Sequence, residues 1–160
     1  MQKVTPCLWF DDQGEEAAEF YTSIFPNSRI TDISRYGETG PGTPGAAMTV
    51  AFELDGQPFT ALNGGPQFTF SEAVSFQVAC DGQDEVDRYW NTLAEGGEEG
   101  PCGWLKDRYG VSWQVVPARL TELITQSEPE TSQRVMAAML QMRKIDIATL
   151  EEAAADGARA

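Results

Sequence analysis

The side chains able to do chemistry make a short inventory: the thiols Cys7, Cys80 and Cys102, clustered carboxylates, and amides set in apolar strands, with no histidine in 160 residues. Without imidazole the chain lacks the commonest transition-metal ligand and the side chain best suited to proton transfer near neutral pH. Any catalysis must run on carboxylates, amides, thiols, Tyr or Lys. The cysteines are odd in number and unevenly spaced, which fits reduced, packed thiols better than a disulfide framework or a CxxC metal site. The acidic pairs Asp11-Asp12, Glu15-Glu16 and Glu98-Glu99 read as solvated helix starts and loops rather than acid/base pairs.

One amide stands apart. CGWLKDRYGVSWQVVP, Cys102 to Pro117, reads as strand, tight turn and strand, with Asp107, Arg108 and Gly110 as turn chemistry. In the second arm Val111, Trp113 and Val115 share one parity, and Ser112, Gln114 and Val116 the other. A period-two strand therefore turns Gln114 away from the obvious core face.

The elements that carry these residues repeat. TPCLWF reads as a strand, and FDDQGEEAAEFYTSIF as a helix start followed by Ala17, Phe20, Tyr21 and Ile24 at helical spacing. VSFQVACDGQDEVDRYWNTL repeats the plan, with a strand over Val74 to Cys80 and a helix carrying Val86, Trp90 and Leu93. Setting Phe20-Tyr21 over Tyr89-Trp90 places Ile24 over Leu93 and Asp12 over Asp81. More strands follow each helix: SRITDISRYG, AAMTVAFELDG and QPFTALNGG in the first module, GEEGPCGWLKDRYG and VSWQVVP in the second. The GETGPGTPG loop, residues 37 to 45, is either a lid over something or a tolerated surface insertion. At the C-terminus, SEPETSQRVMAAMLQMRKI starts with a capping box, Ser127 to Glu130, and carries a methionine-rich stripe that suits core or dimer contact. Asp146 can cap a last helix, IATLEEAAA, and the final DGARA is expected to fray.

Apolar residues at 41% and aromatics at 10% are enough for a folded chain of one domain or two small modules. With 11 Lys and Arg against 25 Asp and Glu, the net charge of −14 repels nucleic-acid phosphates and anionic membranes alike. Neither a membrane span nor a secretory signal is read, so the expected location is the cytoplasm.

The strings TPCLWFDDQGEEAAEFYTSIFPNSRI, ALNGGPQFTFSEAVSFQV, GWLKDRYGVSWQVVP and VMAAMLQMRKIDIATLEEA resemble the PhnB-like branch of the glyoxalase and extradiol-dioxygenase group, the vicinal oxygen chelate superfamily. The resemblance implies an α+β fold of tandem βαβββ modules curled into a cup-shaped mixed sheet. The modules are placed at about 1–67 and 68–120, with a helical extension over 121–160. Members of this branch often bear the name demethylubiquinone methyltransferase. The glycines here sit in hairpins and irregular loops, not in the strand-to-helix loop of a doubly wound sheet that S-adenosylmethionine chemistry would call for.

Metal-dependent relatives draw ligands from cup-facing positions, which the resemblance maps to Thr5, Asn63, Ala73 and Gln114. Hydroxyl, amide and methyl groups there do not hold Zn²⁺, Fe²⁺ or Ni²⁺. No metal and no cofactor is expected. Strand parity then lines the cup with Cys7, Trp9, Phe59 and Asn63 from the first module and Ser75, Gln77, Ser112 and Gln114 from the second. Aromatic walls with a few amides and hydroxyls suit a small, partly polar, uncharged or weakly charged molecule. The expected function is a metal-free, homodimeric small-molecule-binding protein. The alternatives are an enzyme of lyase, isomerase or methyl-transfer type, with Cys7 as its cup thiol, and a pure interaction role with a filled cup.

Overall fold

The computed structural model describes residues 2–156, and they fall into two compact units, 1–70 and 71–160. In the first, β1 (Cys7–Phe10) leads into α1 (Gly14–Ile24), followed by β2 (Arg29–Arg35), β3 (Ala47–Leu54) and β4 (Gln57–Asn63). The sheet order is β1-β4-β3-β2, with β1 parallel to β4 and the remaining pairs antiparallel. Helix α1 buries Gly14, Ala17, Ala18 and Tyr21, and the Tyr21 ring stacks on Phe52, which stacks in turn on Phe59. At the end of the unit, Phe68 and Phe70 set their ring edges against Trp9 and Phe10.

The second unit repeats the plan with β5 (Ser75–Cys80), α2 (Gln83–Ala94), β6 (Glu98–Glu99), β7 (Trp104–Lys106) and β8 (Ser112–Pro117) in the order β5-β8-β7-β6. The strands after its helix are shorter than those of the first unit, but β5 is again parallel to β8. The turn from β7 to β8 is organised by Asp107, which is only 3% exposed. One carboxylate oxygen of Asp107 accepts the N–H groups of Tyr109 and Val111, and the other accepts Trp113 Nε1 at 2.9 Å. Its place in the chain is explained by turn geometry, as the sequence indicated.

Helices α3 (Ala118–Thr125), α4 (Pro129–Met139) and α5 (Ile147–Asp156) belong to this unit. Leu120, Leu123, Val135, Ile145 and Leu150 form their buried cluster, with Met139 and Met142 packed against it. Gln83 ties α2 to this segment: its Nε2 donates to the Ile145 carbonyl, and its Oε1 accepts the Ile147 N–H at 2.8 Å. Asp146 caps α5 by accepting the Thr149 N–H. The capping box expected at Ser127 does not form. Pro129 occupies the first turn, Glu128 takes the N-cap position, and no side chain caps the helix, because the fixed φ of proline already sets the first helical residue. Of the DGARA tail, 157–160 lie outside the described residues. No helix among the described residues is long and apolar enough to cross a membrane.

Candidate functional site

The pairing register settles which residues share a face. In the second unit Ser75 stands opposite Ser112 and Gln77 opposite Gln114, while β7 sets Trp104 opposite Gln114 and Lys106 opposite Ser112. Side chains directly opposite one another in a ladder project to the same side. These six therefore form one face, and Val78, Cys80, Leu105, Trp113 and Val115 are buried on the other. Gln114 Nε2 donates to Ser75 Oγ at 2.9 Å, while Gln77 is exposed.

A cavity of about 410 Å³ opens on this face, with Glu72, Pro101, Cys102, Trp104, Lys106 and Ser112 in its wall. Ser112 is 2% exposed, yet its hydroxyl has no hydrogen-bond partner among the described residues. Beside it the Lys106 ammonium is paired with the Glu72 carboxylate. The bond between them holds Glu72 below the ordinary carboxylate range and Lys106 above the ordinary ammonium value.

The wall at Cys102 and Gly103 is held from behind by the C-terminal segment. The Cys102 N–H donates to the Met142 carbonyl at 2.8 Å and the Gly103 N–H to the Arg143 carbonyl at 2.7 Å. Gly103 adopts φ +85°, and a Cβ there would stand 2.9 Å from the Val115 carbonyl oxygen. Only glycine fits both demands.

In the first unit the register places Cys7 opposite Thr60, Leu8 opposite Ala61, Trp9 opposite Leu62 and Phe10 opposite Asn63. Leu8, Phe10, Phe59, Ala61 and Asn63 thus lie under α1, and Cys7, Trp9, Thr60 and Leu62 occupy the open face. This corrects two of the expected cup residues. Phe59 is buried against Phe52 on the helix side. Asn63 Oδ1 accepts the N–H of Gly14 at 2.7 Å, and its Nδ2 donates to the Ala47 carbonyl. The physical reason is that α1 has no cap of its own, its N-cap residue Gln13 making no side-chain bond. The strand amide satisfies an orphan donor of the first turn instead. Trp9 Nε1 donates to the Gly65 carbonyl, and Cys7 is exposed.

The 37–45 loop contributes Pro41, Gly42 and Thr43 to a second hollow of about 520 Å³ at the start of α1. Some of its polar groups already have partners. Arg35 pairs with Glu15 at 3.2 Å, and Tyr36 donates to the Asn63 carbonyl.

The parallel strand pairs show which donors a metal would meet. They present Cys7 and Thr60 in the first unit and Gln77 and Gln114 in the second. Neither the thiol and hydroxyl of the first pair nor the two amides of the second fit Zn²⁺, Fe²⁺ or Ni²⁺, which need imidazole, thiolate or carboxylate sets. Among the described residues, no group of three His, Cys, Asp or Glu could hold a metal ion. Sequence reasoning missed Glu72, Trp104 and Lys106. The three residues of β7 are too few to show alternation, and Lys106 reads as part of the turn.

Comparison with known proteins gives the family. The 3-demethylubiquinone-9 3-methyltransferase family pattern matches residues 2–116. The Bacillus cereus PhnB protein, which bears the same family name, is 40% identical over 73% of this chain and 100% of its own, with a TM-score of 0.67. Protein PA1353 of Pseudomonas aeruginosa is 20% identical over 73% of this chain and 98% of its own, with a TM-score of 0.61. A fosfomycin resistance protein, FosX of Listeria monocytogenes, shares the fold at 16% identity and a TM-score of 0.52, over 76% of this chain and 97% of its own. No curated protein matches. With its two four-stranded mixed sheets of matching plan, the chain is a member of the PhnB-like family, named for 3-demethylubiquinone-9 3-methyltransferase, in the vicinal oxygen chelate superfamily.

Proposed function

We propose that this protein binds a small, partly polar molecule on the open face of its second sheet, without a transition metal, and that it acts as a homodimer. The observation that carries the reading is the Ser112 hydroxyl, buried and unpartnered among the described residues, on a residue that lines a cavity of about 410 Å³. An unpaired buried polar group is costly unless something supplies its partner. A bound ligand is the natural supplier here, with Trp104 as an aromatic wall and Gln114 one residue pair farther along the ladder.

A thiol-based enzyme is less well supported. Cys7 is exposed, but partial desolvation raises its thiol pKa and works against a thiolate nucleophile.

A thermal-shift screen of small molecules tests the binding role. Stabilisers are expected, and Ser112→Ala and Gln114→Leu should abolish their effect; a broad library that stabilises nothing rejects it. Elemental analysis of protein purified without chelators or an affinity tag should find near-zero transition metal, and one metal per protomer would reject the metal-free part. Light scattering should give twice the chain mass, and a monomer at micromolar concentration removes the dimer.

A further inference from the structure

The geometry points to the class of ligand: a compact, mainly apolar molecule, neutral or cationic, offering one hydrogen-bonding atom to Ser112, with anions turned away. This rests on the binding role proposed above for the same cavity. Pro101, Cys102 and Trp104 make most of the wall apolar, so the body of the ligand is held by burial and ring contact. The register that sets Lys106 opposite Ser112 fixes where the polar atom must lie, beside the foot of the lysine.

Charge decides the rest. On the open face Glu98, opposite Lys106 in the ladder, and Glu72 set two carboxylates against the single ammonium of Lys106, while Glu99, opposite Leu105, turns its carboxylate to the helix side. Lys106 is already engaged by Glu72. An anion reaching for that ammonium would displace Glu72 and leave its carboxylate alongside. Glu99 is fixed in place by Trp90 Nε1 at 3.0 Å, with Arg143 4.0 Å away on its other oxygen. The chain as a whole adds a net charge of −14. Like charges in a partly apolar hollow repel more strongly than in bulk water.

Two fluorescent probes separate body from charge. N-phenyl-1-naphthylamine is neutral and carries one N–H, and 8-anilinonaphthalene-1-sulfonate has the same ring skeleton with a sulfonate added. At low salt the neutral probe should bind at least about tenfold more tightly. The gap should shrink several-fold in Glu98→Gln, and also in about 0.5 M salt, where screening shortens the reach of the carboxylates. Trp104→Ala and Ser112→Ala should each weaken the neutral probe, whereas Phe68→Ser, outside the cavity, should not; thermal unfolding of each variant verifies that it is folded. If the sulfonate binds as tightly as the neutral probe and both depend on Trp104, the cavity stands and the charge class is overturned. Should neither probe bind, or should binding ignore Trp104 and Ser112, the binding role itself fails.

Discussion

Ser112→Ala is the substitution on which the site reading can be broken. The hydroxyl is buried without a partner among the described residues, and a group in that state costs about 1–3 kcal/mol of folding free energy. Deleting it removes one oxygen beside an existing cavity, so little closed void is created. The ligand-free variant should therefore be more stable than the parent by about 1 kcal/mol, or about 2–4 °C in melting temperature for a chain of this length. Across the ladder, Ser75 supplies the built-in control. Its oxygen accepts the Gln114 amide at 2.9 Å, so Ser75→Ala breaks a made bond and should cost about 0.5–1.5 kcal/mol. Two serines facing each other in register should thus respond with opposite signs. Urea unfolding of ligand-free protein, checked by calorimetry, measures both. A Ser112→Ala protein destabilised by about 0.5 kcal/mol or more would show that the hydroxyl has an internal partner, and the argument for a ligand at that atom would fall.

Three further outcomes are expected. Asn63→Ala should cost about 2 kcal/mol, from the lost α1 cap and the bond to Ala47, while leaving probe binding in the second unit unchanged; a stable variant with lost binding would contradict the structural role. Asp107→Ala should cost about 3 kcal/mol by urea unfolding, because the backbone donors of Tyr109 and Val111 and the indole of Trp113 lose their acceptor together. The Cys80 thiol is pushed up to about 11 by burial, with the nearby Glu85 adding to the shift. The folded form thus holds a proton that the unfolded chain releases near its ordinary value of 9.0. That contribution to stability is full below the ordinary thiol range and erodes as pH climbs from there toward 11. Iodoacetamide at about pH 8 should label Cys7 well before Cys80, and peptide mass spectrometry giving the reverse order would refute the placement.

The element order and most of the strand faces were legible because the signal was local. Leu8 and Phe10 in β1, Val78 and Cys80 in β5, and Trp113 and Val115 in β8 alternate cleanly with their neighbours, and all are buried. β4 was not legible. In Phe59-Thr60-Ala61-Leu62-Asn63, apolar residues fall on both parities, and an amide at the end invites placement away from the core. What turns Asn63 inward is a helix start 49 residues earlier in the chain, a partner that no window on β4 contains. The cavity wall failed for a similar reason. Cys102 and Gly103 are braced by Met142 and Arg143, beyond the reach of any local pattern.

The internal repeat, aligned through the two parallel strand pairs, shows why the two units differ in what they leave free. Phe10 opposite Asn63 corresponds to Cys80 opposite Pro117, and Cys7 opposite Thr60 corresponds to Gln77 opposite Gln114. The first helix needs the strand amide as its cap, so that amide is spent under α1. In the second unit Glu85 reaches back to the Asp81 N–H at 2.8 Å, and the position matching Asn63 is a proline. The second sheet keeps its amides on the open face, where Gln77 is exposed and Gln114 bonds only sideways to Ser75 among the bonds described. Polar groups left over after helix capping, beside an unpartnered hydroxyl and an aromatic wall, come together among the described residues in the second module, which is where the proposed binding face lies.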